Sequence, residues 1–160
     1  MLGTSPTEFS PNITMTRGML VTVLYRMNGS PSVSGKTPFT DVRTDEWYSA
    51  AVLWAYQNGI VTGMSDTTFA PINNVTREQM ATILFRYTKT AAPDKAKASA
   101  DLSGFADAGS VNDWAVDAMR WAVGQKLIAG ITLGQSVYLQ PRGNATRAQA
   151  ATVLTRYYAQ

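Results

Sequence analysis

The sequence predicts an all-α chain of tandem helix–loop–helix repeats, and three observations carry that prediction. Residues 9–27, FSPNITMTRGMLVTVLYRM, match residues 69–87, FAPINNVTREQMATILFRY, at seven of nineteen positions with an offset of 60. Residues 139–157, LQPRGNATRAQAATVLTRY, match the second copy at ten of nineteen with an offset of 70. Within every copy the apolar residues fall at helical spacing behind a threonine. Self-similarity at a fixed period marks a repeat architecture, and the 3.6-residue spacing makes each unit helical.

A second element precedes the second and third copies. It reads FTDVRTDEWYSAAVLWAYQNGIVTG from Phe39 and FADAGSVNDWAVDAMRWAVGQKLIAG from Phe105. The complete unit is therefore Phe-x-Asp, helix, glycine loop, Phe-x-Pro, Thr-Arg, helix. In the first copy Gly3 aligns with Gly63 and only Met1 and Leu2 lie upstream, so the chain holds two and a half units. The division is 1–30 for the first repeat (second half only), 31–90 for the second, 91–104 for a linker and 105–160 for the third.

Trp47, Ala51, Trp54 and Ala55, and likewise Trp114, Ala118, Trp121 and Ala122, lie at i, i+4, i+7, i+8, one apolar stripe on one helix face. Asn58-Gly59 supplies a left-handed stop for the first of these helices. The second helix of each unit carries Leu20, Val23, Leu24, Met27, then Met80, Ile83, Leu84, Tyr87, then Ala150, Val153, Leu154, Tyr157. Thr16, Thr76 and Thr146 are their N-caps. Gln79 and Gln149 complete capping boxes, which Met19 cannot do. Segments 28–38 and 88–104, rich in Gly, Pro, Ser, Ala and Lys, read as connectors.

Composition excludes much chemistry. The 160 residues include no Cys and no His, which removes disulfides, Cys/His zinc sites, thiol nucleophiles and histidine bases. No metal or cofactor site is expected. The net charge of +3 is mild and its basic residues are scattered, so no nucleic-acid stripe is present. No stretch has the roughly 18 apolar residues of a membrane span. The N-terminus lacks the features of a secretion signal, and the chain reads as an excised segment of a larger protein. Paired carboxylates of glycosidase type are not apparent, since Asp41 and Asp107 come from matching positions of different repeats. The chain is expected not to be an enzyme.

Arg17, Arg77 and Arg147 occupy the first helical position in all three copies. A cation there opposes the helix dipole. Its recurrence points to an anion held by Arg with the free helix N–H groups, or to an internal pair with Asp41 and Asp107. Trp54 and Trp121 are expected in the core. Trp47 and Trp114, at the helix starts, either pack or present a flat face to a sugar ring. Gly63 and Gly130 read most simply as positions needing positive φ, alternatively as close-approach points for a ligand. Arg26, Arg86 and Arg156 sit near helix C-termini, where a cation suits the dipole.

The order Phe-x-Asp-Val, a Trp six residues on, Gly-Ile-Val-Thr-Gly, Phe-x-Pro and Thr-Arg-Glu-Gln over 39–79 resembles the S-layer homology domain. It recurs over 105–149, and its second half over 9–19. The resemblance implies a non-catalytic, extracellular bacterial module packed as a pseudo-threefold helical bundle with grooves between repeats. It also implies binding to a cell-wall polysaccharide, often one bearing pyruvate ketals. The family's Thr-Arg-Ala-Glu signature maps its arginine onto Arg17, Arg77 and Arg147, its Asp onto Asp41 and Asp107, and its Trp onto Trp47 and Trp114. With Gly63 and Gly130 these form the expected glycan-binding set. Met19, Gln79 and Gln149 stand where the family usually has Glu. The third repeat has a longer loop at Thr132–Val137, and the incomplete first repeat leaves one groove unfinished. The alternative function is a protein-assembly module, self-associating when another chain completes the first repeat.

Overall fold

The computed structural model describes residues 1, 5, 7–97 and 99–159. Gly3, aligned above with Gly63, and Leu2 upstream of it lie outside the described residues. Five α-helices run in chain order: α1 (Arg17–Met27), α2 (Ser49–Gln57), α3 (Arg77–Ala91), α4 (Val116–Gly124) and α5 (Arg147–Tyr158). Short 3-10 turns occupy Pro93–Lys95, Ala108–Ser110 and Asp113–Ala115.

The all-α expectation is overturned. Strands β1 (Ile131–Leu133) and β2 (Ser136–Tyr138) form an antiparallel hairpin, and three isolated bridges join the segments before α1, α3 and α5. Helix of either kind covers 42% of the described residues and strand or bridge 8%, so the architecture is mixed. The hairpin is where the third repeat exceeds the second. Ile131, Thr132, Val137 and Tyr138 are β-branched or aromatic, types that favour strands. Gly134, at φ 62°, sits at the first position of the two-residue turn, where glycine carries no steric penalty.

The bridged segments close a ring. Met15 N–H donates to Ala145 O (2.8 Å), Ala145 N–H to Val75 O (2.9 Å), and Val75 N–H to Met15 O (2.9 Å). All three residues are fully buried, so each repeat satisfies a buried polar group of the next. Around this ring pack Leu20, Leu24, Phe69, Met80, Leu84, Met119 and Leu139. The helices then pair across repeats. α2 packs on α1, with Trp54 against Tyr25 at 5.8 Å, and α4 packs on α3, with Trp121 against Phe85 at 5.4 Å. Trp54 and Trp121 are thus core residues, as their stripe requires. The connector ahead of the third repeat is tied to α4: Trp121 Nε1 donates to Lys95 O (2.9 Å) and Arg120 Nε to Ala100 O (2.9 Å).

Thr16, Thr76 and Thr146 cap their helices through Oγ1, and both capping boxes form. α2 stops at Gly59, with φ 67°, while α4 stops at Lys126, which adopts φ 58° without glycine's freedom.

Candidate functional site

The helix starts determine what the recurring arginines can do. An α-helix leaves four N–H groups over at its N-terminus. At α3 all four have partners. Thr76 N–H donates to Gln79 Oε1, Arg77 N–H to Gly143 O (2.9 Å), Glu78 N–H to Pro141 O (3.0 Å) and Gln79 N–H to Thr76 Oγ1. The same pattern holds at α5, where Arg147 N–H reaches Ile13 O and Ala148 N–H reaches Pro11 O. At α1, Arg17 N–H reaches Asn73 O and Gly18 N–H reaches Pro71 O. At α3 and α5 the helix-start N–H groups are therefore taken up, two by the loop of a neighbouring repeat and two by the capping box, and at α1 the Arg17 and Gly18 N–H groups are taken up by the neighbouring loop in the same way. In all three copies it is the carbonyl of the Phe-x-Pro proline that accepts the N–H of the second helical residue of a neighbouring repeat.

The arginine side chains follow the same cyclic path. Arg17 Nε donates to Phe69 O (2.8 Å), Arg77 Nε to Leu139 O (2.8 Å) and Arg147 Nε to Phe9 O (3.0 Å). Arg17 and Arg147 also lie over the rings of Phe69 and Phe9, at 4.6 and 4.9 Å from the centroids. Leu139 offers no ring to Arg77, whose Nη2 instead donates to Ala129 O (3.0 Å).

The aspartates hold the other side of the same peptides. Asp41 accepts from Phe69 N–H (2.9 Å) and Ala70 N–H (2.7 Å), and Asp107 accepts from Leu139 N–H (2.7 Å) and Gln140 N–H (2.8 Å). Ala70 and Gln140 adopt φ 58° and 48°, a left-handed conformation unfavourable for residues with a Cβ. The carboxylates hold these turns in place. Asp41 forms no ion pair with Arg17, nor Asp107 with Arg77, so the internal-pair expectation is corrected: both partners bond to the intervening backbone.

The glycine expectation is corrected as well. Neither Gly63 nor Gly130 has positive φ. A Cβ on Gly63 would stand 2.0 Å from Ser65 O and 2.7 Å from Phe39 Cε1. One on Gly130 would stand 2.3 Å from Val137 Cγ1 and 2.8 Å from Phe105 Cε1. The Phe of Phe-x-Asp packs onto each glycine, and crowding excludes a side chain.

Three of the sequence-derived residues converge. A cleft of about 330 Å³ is lined by Arg17 from the first repeat, Gly63 from the second and Trp114 from the third. Val61, Thr62, Met64, Gln79, Thr82, Ile83 and Arg86 complete it. Trp114 is 53% exposed. No acidic residue is among these lining groups. Burial lowers the Arg17 pKa to about 10; Asp41 opposes that shift and Arg86 adds to it by like-charge repulsion. The site is thus a partly desolvated cleft with two guanidinium groups, suited to an anion. Arg77, Arg147, Asp41, Asp107, Trp47 and Gly130 lie outside it. Trp47, 55% exposed, stacks edge-on to Tyr48 at 5.1 Å.

Sequence reasoning assigned Arg86 to the helix dipole and Gln79 to capping alone. The missed signal is a second stripe on α3: Gln79, Thr82 and Arg86 lie at i, i+3, i+7 beside Ile83 of the core stripe. The corresponding groove around Arg77 differs. Arg77 Nη2 is bonded to Ala129 O, while Arg156 Nη1 lies 3.3 Å from both Lys126 O and Leu127 O, much as Arg86 Nη1 donates to Thr62 Oγ1 at 3.2 Å.

Comparison with known proteins places this architecture. An endoglucanase of Bacillus sp. (strain KSM-635) is 35% identical over 96% of this chain and 16% of its own length. The surface-layer 125 kDa protein of Lysinibacillus sphaericus is 32% identical over 93% and 12%, and an amylopullulanase of Thermoanaerobacterium thermosulfurigenes 31% over 95% and 8%. The chain thus spans less than a fifth of each of these relatives. A solved undecaheme cytochrome from the S-layer of Carboxydothermus ferrireducens aligns with 98% of this chain and 22% of its own at 22% identity, TM-score 0.47. The S-layer homology domain matches residues 38–81 and 104–151. Those two segments make up more than half of the sequence, and the chain belongs to the S-layer homology domain family.

Proposed function

We propose that the Arg17–Arg86–Trp114 cleft binds an acidic cell-wall polysaccharide and so anchors the attached protein to the bacterial surface. At the coarser level the family membership stands on its own: the chain is a non-catalytic anchoring module of cell-surface proteins. The finer reading rests on one observation, two guanidinium groups in one cleft with no acidic lining residue. A carboxylate there, such as that of a pyruvate ketal, gains charge-assisted hydrogen bonds in a partly desolvated site. The exposed indole of Trp114 offers an apolar face to the C–H side of a sugar ring. Asp41 and Gly63 act by holding the walls of the cleft, and Asp107, Gly130, Arg77 and Arg147 by holding the ring of repeats.

Isothermal titration with purified acidic wall polymer, before and after chemical removal of its acidic substituents, tests the proposal. Binding should require the acidic groups and should fall on Arg86→Gln or Trp114→Ala, with Arg43→Gln as a surface control. Equal binding to the stripped polymer refutes it.

A second reading, protein assembly, has its own observation. α2 covers α1 and α4 covers α3, whereas among the described residues no helix covers α5 in the same manner. The open groove there is lined by Phe9, Val23, Met27, Leu154 and Tyr158. A strict monomer by light scattering, with glycan binding intact, eliminates self-association through this face.

A further inference from the structure

Glu78 is a charged side chain that the fold buries almost completely, at 2% exposed, in the first turn of α3. The matching positions of the first and third repeats hold Gly18 and Ala148, so neither the helix start nor the ring of repeats requires a carboxylate there. Burying a charge costs free energy unless its oxygens are bonded. Both oxygens of Glu78 go to one residue of the third repeat: Oε2 accepts the Asn112 N–H at 3.1 Å, and Oε1 accepts from Asn112 Nδ2. Among the described residues Glu78 has no ion pair. Arg142 Nη2 donates to Asn112 Oδ1 at 3.3 Å, which fixes that amide from its other end.

Asn112 immediately precedes the 3-10 turn Asp113–Ala115, and Ala115 N–H donates back to Asn112 O at 2.8 Å. Trp114 sits in the middle of this turn, 53% exposed. Among the described residues no aromatic ring packs on Trp114, whereas Trp47 has Tyr48. The direction of its indole is therefore set by the backbone that carries it. Val111 and Ala115 are buried on either side, but apolar burial is non-directional. The carboxylate supplies the direction and ties the turn to α3, whose next residue, Gln79, begins the cleft wall continued by Thr82, Ile83 and Arg86. Trp47 has no such tie, because a Cβ on Gly18 would already stand 2.9 Å from Pro71 O.

We propose that Glu78 is the positioning residue of the cleft, holding Trp114 of the third repeat against the wall made by the second through its two bonds to Asn112. The inference rests on the reading that the cleft takes an acidic glycan. It adds that the indole contact of that site is set by a buried carboxylate that does not line it.

The test uses the whole chain labelled with fluorotryptophan, whose four indoles report separately by fluorine NMR, the Trp114 signal being assigned from its absence in Trp114→Phe. Glu78→Ala installs the residue that α5 carries at this place; it should shift or broaden the Trp114 signal and leave that of Trp47 in place. Asn112→Ala keeps the backbone bond and loses the amide one, and should do the same to a smaller extent. Isothermal titration with purified acidic wall polymer gives the consequence for binding. Glu78→Ala should weaken it about threefold or more, and should cost nothing further in a Trp114→Ala background. A carboxylate that only stabilises the fold lowers affinity equally in both backgrounds, and that result overturns the proposal, as does an unmoved Trp114 signal or undiminished affinity in Glu78→Ala. If Trp114→Ala alone leaves binding unchanged, the glycan reading of the cleft fails and this role fails with it. Binding lost in Trp114→Ala but kept in Glu78→Ala leaves that reading standing and removes only the role of Glu78.

Discussion

Asp41→Asn separates a backbone clamp from a ligand contact. The carboxylate accepts from Phe69 N–H at 2.9 Å and Ala70 N–H at 2.7 Å. Asparagine has one acceptor oxygen, so one of these bonds becomes neutral and the other is replaced by an N–H2 group facing an N–H. Hydrogen bonds to charged groups contribute about 1.5–3 kcal/mol each and neutral ones about 1. The net loss, reduced for the partial exposure of the site, is about 2–3 kcal/mol. At about 2–4 °C per kcal/mol for a chain of this size, the melting temperature should fall by about 5–10 °C. Ala70→Gly in the same background should restore about 1 kcal/mol, because glycine relieves the left-handed strain at φ 58°. Differential scanning calorimetry measures both, and titration below the melting transition measures ligand affinity. A melting temperature within about 1 °C of the unsubstituted chain, accompanied by lost glycan binding, would refute the clamp and make Asp41 a ligand contact.

Five further outcomes are expected. Trp114→Ala should cost under about 1 kcal/mol in denaturant unfolding, the side chain being half exposed, yet weaken glycan binding. Trp121→Ala should cost about 3–5 kcal/mol, since that indole is buried. Gly63→Ala should destabilise by about 2 kcal/mol or more, because its Cβ meets two backbone carbonyls. Gly104→Ala, with open space around it, should melt within about 2 °C of the unsubstituted chain. Alkali should unfold the protein early: burial raises the pKa of Tyr157 and Tyr158 above the ordinary value of about 10. The unfolded chain then releases protons that the fold retains, so stability is full below pH 10 and declines above it; Tyr158→Phe should flatten that decline in melting curves.

Helices α3 and α5 were legible because each is specified locally. A Thr N-cap, a Gln three residues later and an apolar stripe are sequence-near features, and all three appear where the pattern puts them. The closing ring was not legible because it is made by main-chain groups. Met15, Val75 and Ala145 have in common only that they are apolar; the positions require complete burial and leave side-chain size and shape open. The hairpin was hidden because the third repeat was aligned to the second, where the matching loop folds back through Met64 N–H to Thr68 O instead. Two three-residue strands then look like an insertion. The Asp-to-Phe-x-Pro interval grows from 28 residues between Asp41 and Phe69 to 32 between Asp107 and Leu139, three of the added residues in the hairpin segment and one before Trp114, which conceals the common clamp.

The arginine at the first helical position joins the fold to the site. Its conflict with the helix dipole, about 0.3–1 kcal/mol, first pointed to a ligand, yet the structure supplies a reason in the fold for all three copies. Each guanidinium crosses to the next repeat and bonds the carbonyl of the residue that begins Phe-x-Pro. Recurrence alone therefore does not distinguish ligand binding from assembly of the ring. What distinguishes Arg17 is what remains after its Nε is bonded. Arg77 gives Nη2 to Ala129 O, whereas Arg17 lines a cleft beside a second cation, and the nearby Asp41 carboxylate is already held by two N–H groups. One guanidinium edge builds the fold and the other is left facing a charge imbalance. Arg17→Lys follows from this division: lysine keeps the charge but has no Nε to donate across the repeats. It should lower the melting temperature by several degrees while retaining part of the salt-dependent affinity for an acidic glycan. Loss of all affinity at unchanged melting would assign Arg17 to the ligand alone.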